Sequence, residues 1–147
     1  MPTTIHASAV LVGTRAILIR GPSGSGKSRL AYELISAAGG ALQFARLVAD
    51  DRAEVEPAAG RLLVRPAPAL AGLIEVRGLG IRRLPHEPVA VVGLVVDLGA
   101  PDAQRLPAPE HARITIDGIA LAHLAVPPGE AATASVIAAL HLPESAV

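Results

Sequence analysis

A strand-rich α/β fold, in one domain spanning residues 1–147, is the class the sequence predicts. Three observations carry it. Short apolar runs of strand length recur along the chain, set off by glycine and proline turns. A glycine-rich phosphate-loop pattern sits between one such run and a stretch with apolar residues at helical spacing. No internal repeat, charge block or linker-like stretch divides the 147 residues.

The elements follow in order. Residues 7–12 and 16–20 read as two strands joined by a tight turn at Gly13-Thr14, a hairpin that feeds the glycine loop. Leu30, Ala31, Leu34, Ile35 and Ala38 recur at helical spacing with Arg29, Glu33 and Ser36 between them. That spacing predicts an amphipathic helix from near Lys27 to a stop at Gly39-Gly40. Leu47-Val48-Ala49 predicts a short buried strand ending at Asp50-Asp51. Residues 52–66 read as a strand pair turning at Pro57 to Gly60, and 66–72 as a loop rich in Pro and Ala. Residues 73–76 form a brief extended segment ahead of the glycine-punctuated Arg77-Gly78-Leu79-Gly80-Ile81. Residues 89–98 are apolar on both faces, which predicts a central strand. Residues 101–109 read as loop, 114–116 and 120–126 as strands around Asp117-Gly118, and 130–140 as a closing helix.

Composition excludes several classes. There are 13 basic and 13 acidic side chains, so no basic excess favours nucleic acid or an anionic membrane. A zero total still leaves room for a local cationic pocket. Tyr32 and Phe44 are the only aromatics, which leaves little for stacking on bases. With no cysteine there are no disulfides and no thiolate metal sites, as suits a cytoplasmic protein. The start Met-Pro-Thr-Thr-Ile-His lacks the cationic opening of a signal peptide. The longest apolar run, 89–96, is far short of the roughly 18 residues of a spanning helix. Lys27 is the only lysine, the other twelve cations being arginine. It stands where a compact ammonium reaches between phosphate oxygens and a guanidinium fork does not fit.

The chemistry concentrates in residues 21–28. Gly21, Pro22, Ser23, Gly24, Ser25, Gly26, Lys27 and Ser28 match the pattern G-x-x-x-x-G-K-[ST] in full. Glycines let backbone N–H groups converge on phosphate oxygens, and the helix that follows adds its positive end. Lys27 neutralises β/γ-phosphate charge, and the Ser28 hydroxyl can ligate Mg²⁺. ATP and Mg²⁺ are the cofactors this predicts. Asp50 and Asp51 follow an apolar strand, where phosphate-loop proteins place an acid near the metal and γ-phosphate. Two adjacent carboxylates can divide the labour. One is held structurally or near the metal, and the other takes a proton from an incoming hydroxyl. Glu75 and His6 are not singled out by their own surroundings.

Taken together, His6 in Ile-His-Ala-Ser-Ala-Val, the glycine loop, Leu47-Val-Ala-Asp-Asp-Arg52 and Ile74-Glu-Val-Arg-Gly-Leu-Gly-Ile81 resemble the catalytic domain of bacterial HPr kinase/phosphorylase. The likeness is strong over residues 5–82 and weak over 83–147. It implies a P-loop domain of the HPr kinase / PEP carboxykinase-like type, in a short form that lacks the family's N-terminal domain. It also implies ATP- and Mg²⁺-dependent phosphorylation of a serine on the phosphocarrier HPr, or its nitrogen-related paralogue, in phosphotransferase-system regulation. Lys27 would bind phosphates, and Ser28 and Glu75, with Asp50 nearby, would serve the metal. Asp51 would be the proton acceptor, His6 would assist, and Arg105 is the candidate for a late catalytic arginine. A hexamer is implied as well, with mean hydropathy of +0.47 as the sequence's own weak pointer to buried subunit contacts.

The chain departs from the family pattern at Ala7 and Arg29, where the family has Gly and an acid, and in extra residues around 39–45. Pro128-Gly129-Glu130-Ala131 stands where the family reads Pro-Gly-Arg-Asn. An anionic Glu130 in place of a phosphate-facing arginine predicts weak or absent phosphorylase activity. Two alternatives stay open. A small-molecule kinase is disfavoured by the opening hairpin and the short stretch after residue 82. A non-catalytic nucleotide-binding regulator is disfavoured by Asp50, Asp51 and Glu75, since binding alone needs no base.

Overall fold

A computed structural model describes residues 2–103 and 112–142. Eleven strands and two helices are described: β1 Thr3–Ile5, β2 Ala7–Val12, β3 Arg15–Arg20, α1 Lys27–Ser36, β4 Ala45–Ala49, β5 Ala53–Ala58, β6 Arg61–Pro66, β7 Leu73–Val76, β8 Gly80–Arg83, β9 Ala90–Asp97, β10 Arg113–Ile116, β11 Ile119–Ala125 and α2 Thr133–His141. Arg105 lies outside the described residues.

Nine strands form one sheet in the order β1-β5-β6-β9-β3-β2-β4, with β11 on β9 and β10 on β11. Only His6 separates β1 from β2, and only residues 50–52 separate β4 from β5. The two ends of the sheet are therefore the two ends of one bent antiparallel ribbon, in which Ala9 pairs with Ala49 and Ile5 with Ala53. The ribbon bends where the two aspartates lie.

β9 is central, as its unbroken apolar run predicts. It runs parallel to β3 on one side and, on the other, meets β6 with its first half and β11 with its second. Between its register pairs Ala16–Val92 and Ile17–Leu94 one residue, Gly93, is skipped. The bulge reverses which face the following side chains occupy. Ala90 and Val92 thus pack in the same core as Leu18, whereas Leu94 and Val96 pack with Ile17 and Ile19 against the helices. Leu30, Ala31 and Leu34 of α1 and Val136 of α2 cover that second face. Each fully buried aliphatic side chain here stabilises by about 1.5–3 kcal/mol.

Local expectations hold closely for the first hairpin, for α1 beginning at Lys27, and for the strands around Asp117-Gly118. Four details differ. The β5–β6 turn is the two-residue Ala59-Gly60, both at positive φ, so the strands reach further than the Pro57–Gly60 turn predicts. α1 gives way at Ala37, ahead of Gly39-Gly40. α2 starts at Thr133 because Pro127 to Glu130 close a turn of their own. The 3-residue β1 and the fully exposed β8 carry no apolar alternation, and both owe their strand state to a partner, β5 and β7 respectively.

Candidate active site

The glycine loop joins β3 to α1, at the end of the sheet where the parallel strands β3 and β9 terminate. Gly21 has no room for a side chain: a Cβ would fall 2.5 Å from Ser25 Oγ and 2.9 Å from the Leu98 carbonyl oxygen. Gly24 and Gly26 adopt φ 80° and 97°, which L side chains rarely tolerate, and face open space. Gly26 caps α1 without a side-chain hydrogen bond, so nothing on the cap competes for the first-turn amides. Lys27 Nζ donates to the carbonyls of Gly21 (2.8 Å) and Pro22 (3.1 Å), which holds the ammonium over the loop.

Behind the loop stands Asp50, buried at 4% exposure. Its carboxylate accepts from the Ser8 hydroxyl at 2.6 Å, from the Ser28 hydroxyl at 2.7 and 2.9 Å, and from the Glu75 backbone N–H at 3.1 Å. A hydroxyl whose one proton points at a carboxylate turns its lone pairs the other way, toward a cation site. Asp50 thus fixes Ser28, and it anchors the β7–β8 ribbon that carries Glu75. Asp51 is the opposite case. It is a left-handed residue (φ 69°) at the bend of the ribbon, its side chain is 59% exposed, and His6 Nδ1 lies 3.6 Å from its carboxylate. Asp is among the residues that accept this backbone conformation.

The structure brings His6, Lys27, Ser28, Asp50, Asp51 and Glu75 to one end of the sheet, with Glu75 exposed on its ribbon. Sequence reasoning missed Ser8. The signal was a lone hydroxyl in the apolar run Ala-Ser-Ala-Val, since a polar group in a buried strand needs a partner. It also missed Asp97, at the end of β9, which takes a two-pronged pair from Arg20 (2.9 Å twice) and the His123 ring at 2.7 Å. Arg20 directly precedes Gly21, so this cluster ties the entry of the glycine loop to β9 and β11. Burial of Asp97 opposes its ionisation, but Arg20 and His123 outweigh burial and hold its carboxyl below the usual 3.8.

A depressed folded value contributes stability that is present above the ordinary value and lost as pH falls through the folded one. The native chain is therefore expected to lose more stability than Asp97→Asn as pH drops from above 3.8 to below it. Urea midpoints across that range measure it, and parallel acid limbs for the two proteins would count against the cluster.

The residues suit a magnesium nucleotide on structural grounds. The loop is a cradle with left-handed glycines, and Ser25 Oγ is buried with no partner among the described residues. Among those residues no three His, Asp or Glu side chains group to hold a metal by themselves. A magnesium ion that keeps waters and phosphate oxygens needs only one or two protein ligands. Ser28, whose hydroxyl Asp50 orients, would be one such ligand, and Glu75 is the exposed acid on the ribbon that Asp50 anchors.

A glycine loop leading from a central strand into an uncapped helix, backed by a buried aspartate, makes this a P-loop-type α/β domain. The chain belongs to the HPr serine kinase C-terminal domain family, whose model matches residues 1–85. It is 42% identical over 79 residues to HPr kinase/phosphorylase of Clostridium beijerinckii, covering 54% of this chain and 24% of the relative. To the protein of that name from Xylella fastidiosa it is 40% identical over 84 residues, covering 56% and 25%. The chain thus spans about a quarter of the length of these curated relatives. The likeness of fold reaches further. The solved HPr(Ser) kinase/phosphatase of Coxiella burnetii matches 94% of this chain with 93% of its own, at a TM-score of 0.74 and 22% identity.

Proposed function

We propose that the chain is an ATP- and Mg²⁺-dependent protein serine kinase acting on the phosphocarrier HPr or its nitrogen-related paralogue, with phosphorylase activity weak or absent. The observation that carries this reading is the division of the two aspartates, one buried on Ser28 and one exposed beside His6. Magnesium ATP, when bound, supplies the transferable phosphoryl group. Lys27 and the loop amides hold and neutralise its phosphates, and Ser28, oriented by Asp50, offers a lone pair to the metal together with Glu75. Asp51 accepts the proton of the incoming serine hydroxyl, with His6 close enough to orient its carboxylate. Glu130, exposed in the turn before α2, stands where the family pattern has an arginine, and its charge has the wrong sign to draw in phosphate for the reverse reaction.

The exposure of the loop tip, Asp51 and Glu75 favours a serine carried on another protein. A small-molecule kinase has to exclude water around its substrate, and no enclosing element covers these residues among those described. No described helix is long and apolar enough to cross a membrane. A cytoplasmic hexamer and regulation of the phosphotransferase system complete the proposal.

The test is to incubate the chain with labelled ATP, Mg²⁺ and each carrier in turn, then map the modified side chain. Phosphoserine is expected. Phosphohistidine or no product would sink the reading, and rapid phosphorolysis of phosphoserine-HPr would sink its second half.

A further inference from the structure

The sheet forks where β9 changes partners. β6 leaves β9 beyond the Leu63–Val91 pair, and β11 joins it at Leu94. Between the diverging strands opens a cleft of about 250 Å³. Buried Leu62, Val92 and Leu121 are among its lining residues. Arg15, Arg61 and Arg113 also line it, and among the described residues no carboxylate does. Gly93 makes the arrangement possible. A Cβ there would fall 2.7 Å from Arg15 Cβ and 3.0 Å from its Cγ, so only glycine lets the Arg15 stem lie across the strand.

Four of the other described arginines are paired with an acid, while Arg52, Arg77, Arg82 and Arg83 have no acid partner among the described residues and lie away from the cleft lining. Arg20, Arg29, Arg46 and Arg65 stand 2.9, 3.6, 3.3 and 3.0 Å from Asp97, Glu33, Glu87 and Glu56. Arg15, Arg61 and Arg113 face no acid among the described residues, and Arg15 donates only to the Thr14 carbonyl at 3.2 Å. In a chain of equal acid and base content, three cations around one cleft with no acid partner among the described residues are a local excess. Apolar walls strengthen their attraction for an anion, and guanidinium forks match phosphate and carboxylate oxygens two at a time.

We propose that this cleft binds a small polyanion bearing phosphate or carboxylate groups, at a site separate from the glycine loop. The two lie about 20 Å apart along β3, at roughly 3.3 Å per residue. The ligand is smaller than the molecules that fill ordinary pockets of roughly 300–1,000 Å³.

Calorimetric titration of pyrophosphate into the Lys27→Ala chain tests it, because that substitution takes the only cation from the glycine loop and leaves its amides alone to hold phosphate. One binding site is expected to survive. Adding Arg61→Gln and Arg113→Gln, both on the surface, is expected to weaken it at least about tenfold through the loss of charge-assisted hydrogen bonds. Competition by citrate marks carboxylates as ligands too, whereas pyrophosphate binding indifferent to citrate marks a phosphate site. No pyrophosphate binding to Lys27→Ala, or binding unchanged by the two arginine substitutions, overturns the proposal.

Discussion

Replacing Asp51 by Asn is expected to lower phosphotransfer to the carrier by about 10²–10⁴-fold, the usual contribution of a positioned general base. Nucleotide affinity should change little. Asp51 touches neither Ser28 nor Lys27, and its side chain is largely in solvent. Asn keeps the shape and is as tolerant as Asp of the left-handed backbone at φ 69°, so the fold should survive. What Asn lacks is an oxygen basic enough to take the serine proton. Single-turnover transfer from labelled ATP, with nucleotide affinity measured in parallel, separates the outcomes. Transfer at the native rate removes Asp51 from the chemistry. Lost transfer with intact binding also disposes of the view that the chain is a non-catalytic nucleotide sensor.

Asp50→Ala should do the reverse damage, to stability first. It strips the acceptor from the Ser8 hydroxyl, which is fully buried, and from the Glu75 N–H, and frees the Ser28 hydroxyl to rotate. Hydrogen bonds to charged groups contribute roughly 1.5–3 kcal/mol each, and a buried donor left unmatched costs a further share. A loss of about 3–5 kcal/mol is expected, which lowers the thermal midpoint of a chain this size by roughly 10–20 °C. In the protein that remains folded, magnesium-dependent nucleotide binding should weaken, since Ser28 no longer presents its lone pairs in a fixed direction. Asp50→Asn offers little rescue, because its amide NH₂ faces donors where an acceptor is needed. A variant with a native midpoint would mean that the Ser8–Asp50–Ser28 cluster is not structural.

The glycine loop, the helix beginning at Lys27, the hairpin before it and the central strand were legible because each is a local pattern. Spacing and turn residues within a dozen positions decide them. The pairing of β3 with β9 joins residues more than seventy positions apart, and nothing near either strand announces it. The same holds for Arg20, Asp97 and His123, an arginine, an aspartate and a histidine with no motif among them. β1 and β8 were missed because polar Thr-Thr and Arg-Arg become strand only when another strand supplies hydrogen bonds. Gly93 read as one more residue of an apolar run, yet it is the bulge that reverses the faces of β9.

The order of amino acids by itself determined that a glycine-rich loop of the phosphate-binding pattern would join a strand to a helix and that two carboxylates would follow a nearby strand. It could not say which carboxylate would be buried, since Asp50 and Asp51 are identical and adjacent. The tertiary structure decided that. Ser8, 42 positions away, and Ser28, 22 positions away, reach one of them from neighbouring elements, and the bend of the ribbon turns the other into solvent. The physical reason is that burial and hydrogen bonding belong to what surrounds a side chain in space, and here nearly all of that comes from distant parts of the chain.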